Sequence, residues 1–211
     1  MNKEEFTIAV KELGISLTEE QLNKLDQFYN LLIEWNNKIN LTRITEEKEV
    51  YLKHFYDSIT IVKVVDLAKK NTLCDVGTGA GFPGIVLKIV FPNLKITLVD
   101  SLLKRVTYLN TIIKELELKD IIAIHSRGED FDEKFDVVTA LAVANIEKLL
   151  NYTMHLLDKK GLFIAMKGNI DEELTQSVIK KINKQYAIKE INKFILPIEN
   201  SNRSLVVIEN K

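Results

Sequence analysis

The first 70 residues carry apolar side chains at three- and four-residue steps, which is the spacing of one face of a helix. The clearest case follows a capping-box motif, Thr18-x-x-Gln21, and predicts a long helix over residues 18–38. Its apolar positions are Leu22, Leu25, Phe28, Leu32 and Trp35. Shorter helices are predicted over 4–13, 46–55 and 57–69. Because this segment holds one glycine and no proline, we predict a helical cap over residues 1–70.

From residue 71 onward, short apolar runs alternate with helical patterns. Strands are predicted over 72–76, 95–99, 121–125, 135–139, 162–166, 186–190 and 204–208, and helices lie between most of them. Such alternation predicts a parallel sheet that helices cover on both faces, an α/β doubly wound domain over residues 71–211. No convincing helix separates the last two strands, so an antiparallel hairpin is predicted at one edge.

The stretch 73–84, LCDVGTGAGFPG, holds four of the eight glycines of the chain. Such clustering is typical of a turn at which the backbone approaches a ligand, after a strand and before a helix. Ligands of doubly wound sheets bind beyond the carboxyl ends of the strands. The turn, Asp100 and the ends of the third and fourth strands are therefore predicted to surround one crevice.

The spacing of the glycines bears on which ligand that crevice binds. A dinucleotide site reads G-x-G-x-x-G, whereas this chain reads G-x-G-x-G from Gly77 through Gly79 to Gly81, with Asp75 ahead of it. A carboxylate is a poor neighbour for a pyrophosphate and a good one for an ammonium or sulfonium group. This favours S-adenosyl-L-methionine as the cofactor. Asp100 would accept hydrogen bonds from ribose hydroxyls in either ligand class.

Overall composition excludes several classes of protein. Lys and Arg number 29 against 30 Asp and Glu, so any RNA site must be a local basic patch. The single Cys74 excludes a disulfide framework and fits a reducing cytosol. No apolar run approaches ~18 residues and no signal peptide is evident, which predicts a cytoplasmic protein without membrane contact. Three scattered histidines predict no metal site, and nothing in the sequence demands more than a monomer.

Two groups of polar residues in the cap have two interpretations each. Asn40 and Thr42, in WNNKINLT at 35–42, suit a helix end and turn, or they contact a ligand. His54 and Asp57 would share one helix face, either as a surface pair or as a pair that faces a substrate. Composition alone favours the structural interpretation for both groups.

These residues together resemble the RsmG family, also called glucose-inhibited division protein B, over nearly the whole length. The motifs that carry the resemblance are WNNKINLT at 35–42, HFYDS at 54–58, DVGTGAGFPG at 75–84, LVDSLLKRVTYL at 98–109, HSRGED at 125–130, FDVVTALAVAN at 135–145 and Lys167-Gly168. The resemblance implies a class I methyltransferase with a Rossmann-like sheet. Its members methylate N7 of one guanine in 16S ribosomal RNA, so the implied partner is that RNA or the small ribosomal subunit.

The resemblance also implies roles for individual positions. Gly77, Gly79 and Phe82 would contact the cofactor beside Asp75, and Gly128 and Glu129 match the pair on the adenine side. Four residues match basic positions that surround the active-site cleft in the family: Lys104, Arg105, Arg127 and Lys167. Asn40 and His54 match polar positions of the cap that face the cleft. No catalytic base is assigned, because N7 of guanine carries a lone pair and no proton.

One position departs from the family pattern. Ala140-Leu141-Ala142 has leucine where the family has an arginine of the cofactor and substrate site, and losing a guanidinium is not conservative. Compensation by Arg105 or Arg127, a weakened enzyme and an inactive RNA-binding protein stay open at this point. A small-molecule methyltransferase or a dinucleotide enzyme on the same sheet is a further alternative.

Overall fold

A computed structural model describes residues 1–211. The helices are α1 (Lys3–Glu12), α2 (Glu19–Ile39), α3 (Glu47–Val50), α4 (Asp57–Ile59), α5 (Gly84–Val90), α6 (Leu103–Glu115), α7 (Ile146–Thr153) and α8 (Gln176–Gln185). The strands are β1 (Thr72–Val76), β2 (Lys95–Asp100), β3 (Ile121–His125), β4 (Phe135–Leu141), β5 (Leu157–Lys167), β6 (Tyr186–Ile195) and β7 (Asn202–Asn210). No helix is both long enough and apolar enough to cross a membrane.

The seven strands form one sheet in the order β3-β2-β1-β4-β5-β7-β6. The first five strands are parallel, and β7 inserts antiparallel between β5 and the edge strand β6. The predicted doubly wound sheet and its antiparallel hairpin are therefore confirmed. Strand order reverses between β1 and β4, and this opens a crevice at the carboxyl edge of the sheet.

Each face of the sheet has its own hydrophobic core. One core joins α5, α6 and the whole N-terminal segment, through residues such as Phe28 and Phe55, to strand residues such as Leu98. The other core packs α7 and α8 against the opposite face, around Phe163. The N-terminal segment thus supplies one helical layer of a shared core. The predicted domain boundary between residues 70 and 71 stays a prediction, because residues on both sides of it belong to the same core.

The helices of the cap differ in one place from the predicted pair over 46–55 and 57–69. The chain is continuously helical from α3 to Lys63, with a π-helical turn over Tyr51–Tyr56 and a 3₁₀ turn over Thr60–Lys63. No glycine or proline interrupts this run, so nothing stops the helix at residue 56. The break lies at residues 64–66, where the side chain of Asp66 accepts a hydrogen bond from the amide of Ala68 and starts a new short turn.

The long helix α2 is fastened to the sheet layer at its start. Thr18 and Gln21 form the predicted capping box. The side-chain amide of Gln21 also donates to the carbonyls of Ile89 and Val90, at 3.0 and 2.9 Å. These carbonyls belong to the end of α5, where the helix leaves acceptors unpaired. Because α5 begins at the glycine turn, this contact ties the cap to the element that carries the turn.

Candidate active site

Two adjoining depressions lie at the carboxyl edge of the sheet, on either side of the glycine turn. Their volumes are about 310 and 450 Å³, and both are lined by Gly77, Asp100, Ser101 and Val143. We call the smaller one the β3-side pocket, because the chain after β3 forms one of its walls. We call the larger one the cap-side pocket, because the N-terminal cap closes it. The crevice predicted from the glycine turn is thus present and has two compartments.

The backbone of the glycine turn is left-handed at Gly77, Gly79 and Gly81. At Gly77, φ is +73°, and a Cβ atom would lie 2.8 Å from both Cγ atoms of Val143. Glycine is therefore required here both for conformation and for space. The amide of Gly79 donates to the carboxylate of Asp100 at 2.9 Å. These contacts hold the turn against the end of β2.

Most hydrogen-bond acceptor positions of the Asp100 carboxylate are already occupied by groups of the chain itself. Its side chain is 2% exposed, and its oxygens accept from the amides of Gly79 and Leu102 and from Arg105. The closest approach of the Arg105 guanidinium is 3.3 Å. A carboxylate has about four lone-pair sites, so one further acceptor position is left. Asp100 lines both pockets, and ribose binding by its carboxylate stays a prediction.

Asp75 lies elsewhere than its predicted role suggests. Its side chain is fully buried, lines neither pocket, and accepts from the amide of Gly84 at 2.9 Å. Its other oxygen and the hydroxyl of Thr78 have no hydrogen-bond partner. Burial raises the pKa of Asp75 to about 7. The structure thus places Asp75 beneath the turn, at the start of α5, and direct contact with a cofactor ammonium would require the turn to move.

The β3-side pocket combines apolar walls with a polar rim. Gly128 is buried at its base, where a Cβ atom would lie 2.8 Å from Val76. Its lining comprises Val76, Gly77, Val99, Asp100, Ser101, Ser126, Arg127, Gly128, Glu129, Val143 and Tyr152. Glu129 stands at the rim, 3.8 Å from Arg127, whose side chain is 70% exposed. Gly128 and Glu129 therefore lie together where the resemblance predicts the adenine side.

The cap-side pocket is closed by the cap and by the end of β4. Its cap residues are Leu41, Thr42 and His54. The imidazole of His54 stacks on the ring of Phe82, with centroids 4.3 Å apart, and its Nε2 lies 3.0 Å from the hydroxyl of Thr42. Burial lowers the pKa of His54 to about 4, so the ring is neutral at pH 7. His54 thus faces the cleft, as the resemblance predicts.

Three other predicted residues lie outside both pockets. Lys167 is bound to Glu173 at 3.0 Å and to the carbonyl of Ala144, so it braces the loop after β4, and its contact with RNA stays a prediction. Asn40 is exposed and ends α2 in a left-handed conformation, as its structural interpretation predicts. Lys104 is exposed in the first turn of α6, beside the pocket residue Arg105.

His54 and Asp57 do not form a pair. Asp57 is 4% exposed, and one carboxylate oxygen lies 2.6 Å from Nε of Arg203 on β7. His54, in the π-helical turn, lines the cap-side pocket, whereas Asp57, the first residue of α4, contacts the hairpin strand β7. Neither the surface pair nor the substrate-facing pair is correct, because Asp57 is buried against the sheet.

Several pocket residues could not be selected from the sequence. Ser101, Ser126, Val143 and Tyr152 line the two pockets, yet no motif in the sequence singles them out. Their only signal is position, since all but Tyr152 lie in loops beyond strand or helix ends.

Leu141, where the family pattern has an arginine, also lines the cap-side pocket, and Arg105 is the arginine that lines the same pocket. Arg127 lines the other pocket.

Solved structures with a similar fold include methyltransferases. The mitomycin 7-O-methyltransferase MmcR aligns with a TM-score of 0.62, at 10% identity over 92% of this chain and 69% of its own. The ribosomal protein L11 methylase of Lactobacillus delbrueckii subsp. bulgaricus aligns at 0.58, with 18% identity over 80% and 81%. A mutant of MtNAS in complex with S-adenosylmethionine aligns at 0.59, with 14% identity over 89% and 74%. The fold is that of a class I methyltransferase.

Sequence comparison narrows the class to one family. The family model for rRNA small subunit methyltransferase G (GidB) matches residues 21–206. Proteins named ribosomal RNA small subunit methyltransferase G are similar over the whole chain. Those of Bacillus pumilus and Bacillus subtilis are 46% and 47% identical, over 100% and 99% of this chain and 91% and 90% of their own. The Listeria monocytogenes relative is 45% identical over 99% and 90%. The chain belongs to the rRNA small subunit methyltransferase G family, as its motifs predict.

Proposed function

We propose that this protein transfers a methyl group from S-adenosyl-L-methionine to N7 of a guanine in 16S ribosomal RNA, in the cytoplasm and as a monomer. The observation that carries the proposal is the paired cavity at the carboxyl edge of a methyltransferase sheet, in a chain whose relatives are named small-subunit rRNA methyltransferases. The relatives offer no support for the alternative of an inactive RNA-binding protein.

The residues of the β3-side pocket fit a nucleoside-bearing cofactor. Val76, Val99 and Val143 offer apolar walls, while Asp100 and Glu129 offer carboxylates at the rim. At Gly77 and Gly128 a Cβ atom would approach wall residues to 2.8 Å, so the space depends on glycine. Apolar walls with a few converging acceptors are the usual setting for a ring and its hydroxyls. We assign the adenosine part of S-adenosylmethionine to this pocket.

The cap-side pocket is assigned to the guanine. When bound, S-adenosylmethionine supplies a methyl group that its positive sulfur already activates. Because N7 carries a lone pair, the chain needs no proton acceptor, and its contribution is alignment of the acceptor nitrogen with the methyl carbon. His54 is neutral at pH 7, so it adds no positive charge beside a cationic cofactor. Phe82 and His54 offer aromatic surface, and Leu41 and Leu141 close the pocket.

Contact with RNA outside the pockets rests on exposed cations at the rim. Arg127 is 70% exposed and Lys104 is exposed, so both can reach phosphates without breaking a buried contact. Such contacts give affinity that depends on salt concentration. Since N7 is hidden in the deep major groove of A-form RNA, the target guanine must lie in an irregular region or leave its stack.

The test is mass spectrometry of 16S ribosomal RNA from a strain that lacks this gene. We expect loss of one 7-methylguanosine, and its return when the wild-type gene is supplied. The matched control is a gene for the Gly77→Ala variant, in which the added Cβ would clash with Val143 in the glycine turn. This gene should not restore the 7-methylguanosine. Retention of every 7-methylguanosine in the deletion strain would refute the proposal. Purified protein with labelled S-adenosylmethionine and 16S RNA or small subunits then identifies the substrate particle.

A further inference from the structure

The side chain of Asn36, in the last turn of α2, holds the loop that follows this helix. Its Oδ1 accepts hydrogen bonds from the amides of Leu41 and Thr42, at 2.7 and 2.8 Å. These two amides have no other acceptor. The loop between Ile39 and Glu47 has no regular secondary structure, so the conformation of its first residues depends on this one oxygen.

Thr42, in the loop that Asn36 holds, is a pocket residue that connects this loop to His54. The hydroxyl of Thr42 accepts from the amide of Ile44 at 3.1 Å and lies 3.0 Å from Nε2 of His54. Since that oxygen already accepts one hydrogen bond, its proton is available to the neutral imidazole. His54 then stacks on Phe82 at 4.3 Å, with ring planes 10° apart. Thr42, His54 and Phe82 all line the cap-side pocket.

We propose that Asn36 is a positioning residue of the methyl-transfer reaction, which acts through Thr42 to fix the ring of His54 against Phe82 in the wall that receives the target guanine. This inference rests on the proposed function for its substrate. Asn36 itself lines neither pocket and touches no reacting group. Its effect is therefore on the placement of the base rather than on the binding of the cofactor.

The geometry explains why an amide or carboxylate is needed at this position. Two backbone N–H groups converge on one oxygen, which requires a planar acceptor on a short side chain. Aspartate would keep that acceptor, whereas alanine would leave both amides to water and free the loop. The neighbouring Asn37 is exposed and makes no side-chain hydrogen bond, so it provides a matched control on the same turn.

The experiment compares wild-type protein with Asn36→Ala, Asn36→Asp, Asn37→Ala and Thr42→Val. We expect Asn36→Ala and Thr42→Val to lower kcat/KM for RNA by between about 10- and 100-fold, with the Kd for S-adenosylmethionine changed less than about threefold. Asn36→Asp and Asn37→Ala should keep wild-type activity. If Asn36 served only the stability of the whole fold, Asn36→Ala would weaken cofactor binding as well. A loss in kcat/KM for RNA alone, which aspartate prevents, therefore indicates positioning of the substrate.

A second measurement does not depend on the reaction at all. The chain has three histidines, so NMR resonances of the imidazole of His54 can be assigned by one substitution and titrated. We expect Asn36→Ala to raise the pKa of His54 from about 4 toward its ordinary value, because the ring gains access to water, and Asn36→Asp to leave it unchanged.

The outcomes separate the two proposals. If wild-type protein methylates RNA but Asn36→Ala has the same kcat/KM and the same His54 titration, the positioning role is wrong. It is equally wrong if Asn36→Asp is as impaired as Asn36→Ala. If wild-type protein methylates no RNA at all, the proposed function fails, and the His54 titration alone decides whether Asn36 fixes the ring.

Discussion

The imidazole of His54 and the phenyl ring of Phe82 lie face to face, with centroids 4.3 Å apart and planes 10° apart. The two residues come from different layers, since His54 belongs to the cap and Phe82 to the glycine turn of the sheet. This stack therefore joins the wall assigned to the substrate to the turn assigned to the cofactor. It also shields part of the imidazole from water, and this partial burial lowers the pKa of His54 to about 4.

The stability of the protein should fall on mild acidification because of His54. In the unfolded chain the pKa is about 6.5, so between pH 6.5 and pH 4 the unfolded state binds a proton that the folded state does not. The stabilisation is present above pH 6.5 and is lost as the pH falls. Urea unfolding at pH 7.5 and 5 should show wild-type protein losing about 1–2 kcal/mol more than His54→Phe. Equal losses would show that His54 is not held neutral; His125 and His155 are common to both proteins and cancel.

Asp75 should have the opposite pH dependence. Its pKa is about 7 in the folded state and lies near 4 when unfolded, so its contribution is present at low pH and is lost as the pH rises through 7. Asp75→Asn keeps an acceptor for the amide of Gly84 and adds a donor for Thr78. From pH 6 to 8.5, wild-type protein should lose about 1–2 kcal/mol relative to this variant in urea unfolding.

The same variant tests the role in cofactor binding that the sequence predicts for Asp75. Because its carboxyl is buried beneath the turn, we expect Asp75→Asn to change the Kd for S-adenosylmethionine less than about threefold by calorimetry. A loss of more than about tenfold would instead support direct contact between the carboxylate and the cofactor.

Gly77→Ala should abolish tight cofactor binding. Its Cβ would lie 2.8 Å from Val143, at φ +73°, so the turn must shift. Gly14→Ala is the control, since φ there is +84° with nothing within 4 Å of a Cβ. It should lower stability by about 1 kcal/mol through backbone strain alone. We expect at least tenfold weaker cofactor binding for Gly77→Ala only, with part of the loss recovered in Gly77→Ala/Val143→Ala. Equal effects of the two glycine variants would contradict this account.

Lys104 and Lys167 should respond differently to removal of their charge. Lys104 is exposed, so Lys104→Ala should weaken RNA binding and reduce the slope of log K against log salt by about 1. Lys167 is 11% exposed and paired with Glu173, so Lys167→Ala should lower the melting temperature and leave that slope unchanged. Filter binding at several salt concentrations gives the slopes. A lower slope for Lys167→Ala would place that side chain on the RNA.

Leu141→Arg tests whether the pocket lacks a guanidinium. Arg105 already shares the cap-side pocket with Leu141, so we expect Leu141→Arg to leave methylation unchanged in the wild-type background. In an Arg105→Ala background, where activity should fall, Leu141→Arg should restore part of it. A rise in activity in the wild-type background would instead show that leucine at this position weakens the enzyme.

The sequence by itself determined the elements and the family. Apolar spacing predicted α2 with its capping box, the strands and the antiparallel hairpin, because these patterns reflect burial along a single element. The glycine turn predicted the ligand-binding edge, since clustered glycines after a strand are typical of a turn at which the backbone approaches a ligand. Motif matches also placed Gly128, Glu129 and His54 beside the cleft.

Only the tertiary structure decided which polar side chains are free to act. Lys167 forms an ion pair with Glu173, and Asp57 forms one with Arg203. Asp75 is buried beneath the glycine turn, where it accepts a hydrogen bond from the amide of Gly84. Each of these contacts joins residues that local spacing does not relate: Asp57 and Arg203 are 146 positions apart, and Asp75 meets Gly84 across the turn. A side chain's charge and reach depend on such partners, which packing brings together and a linear pattern does not encode.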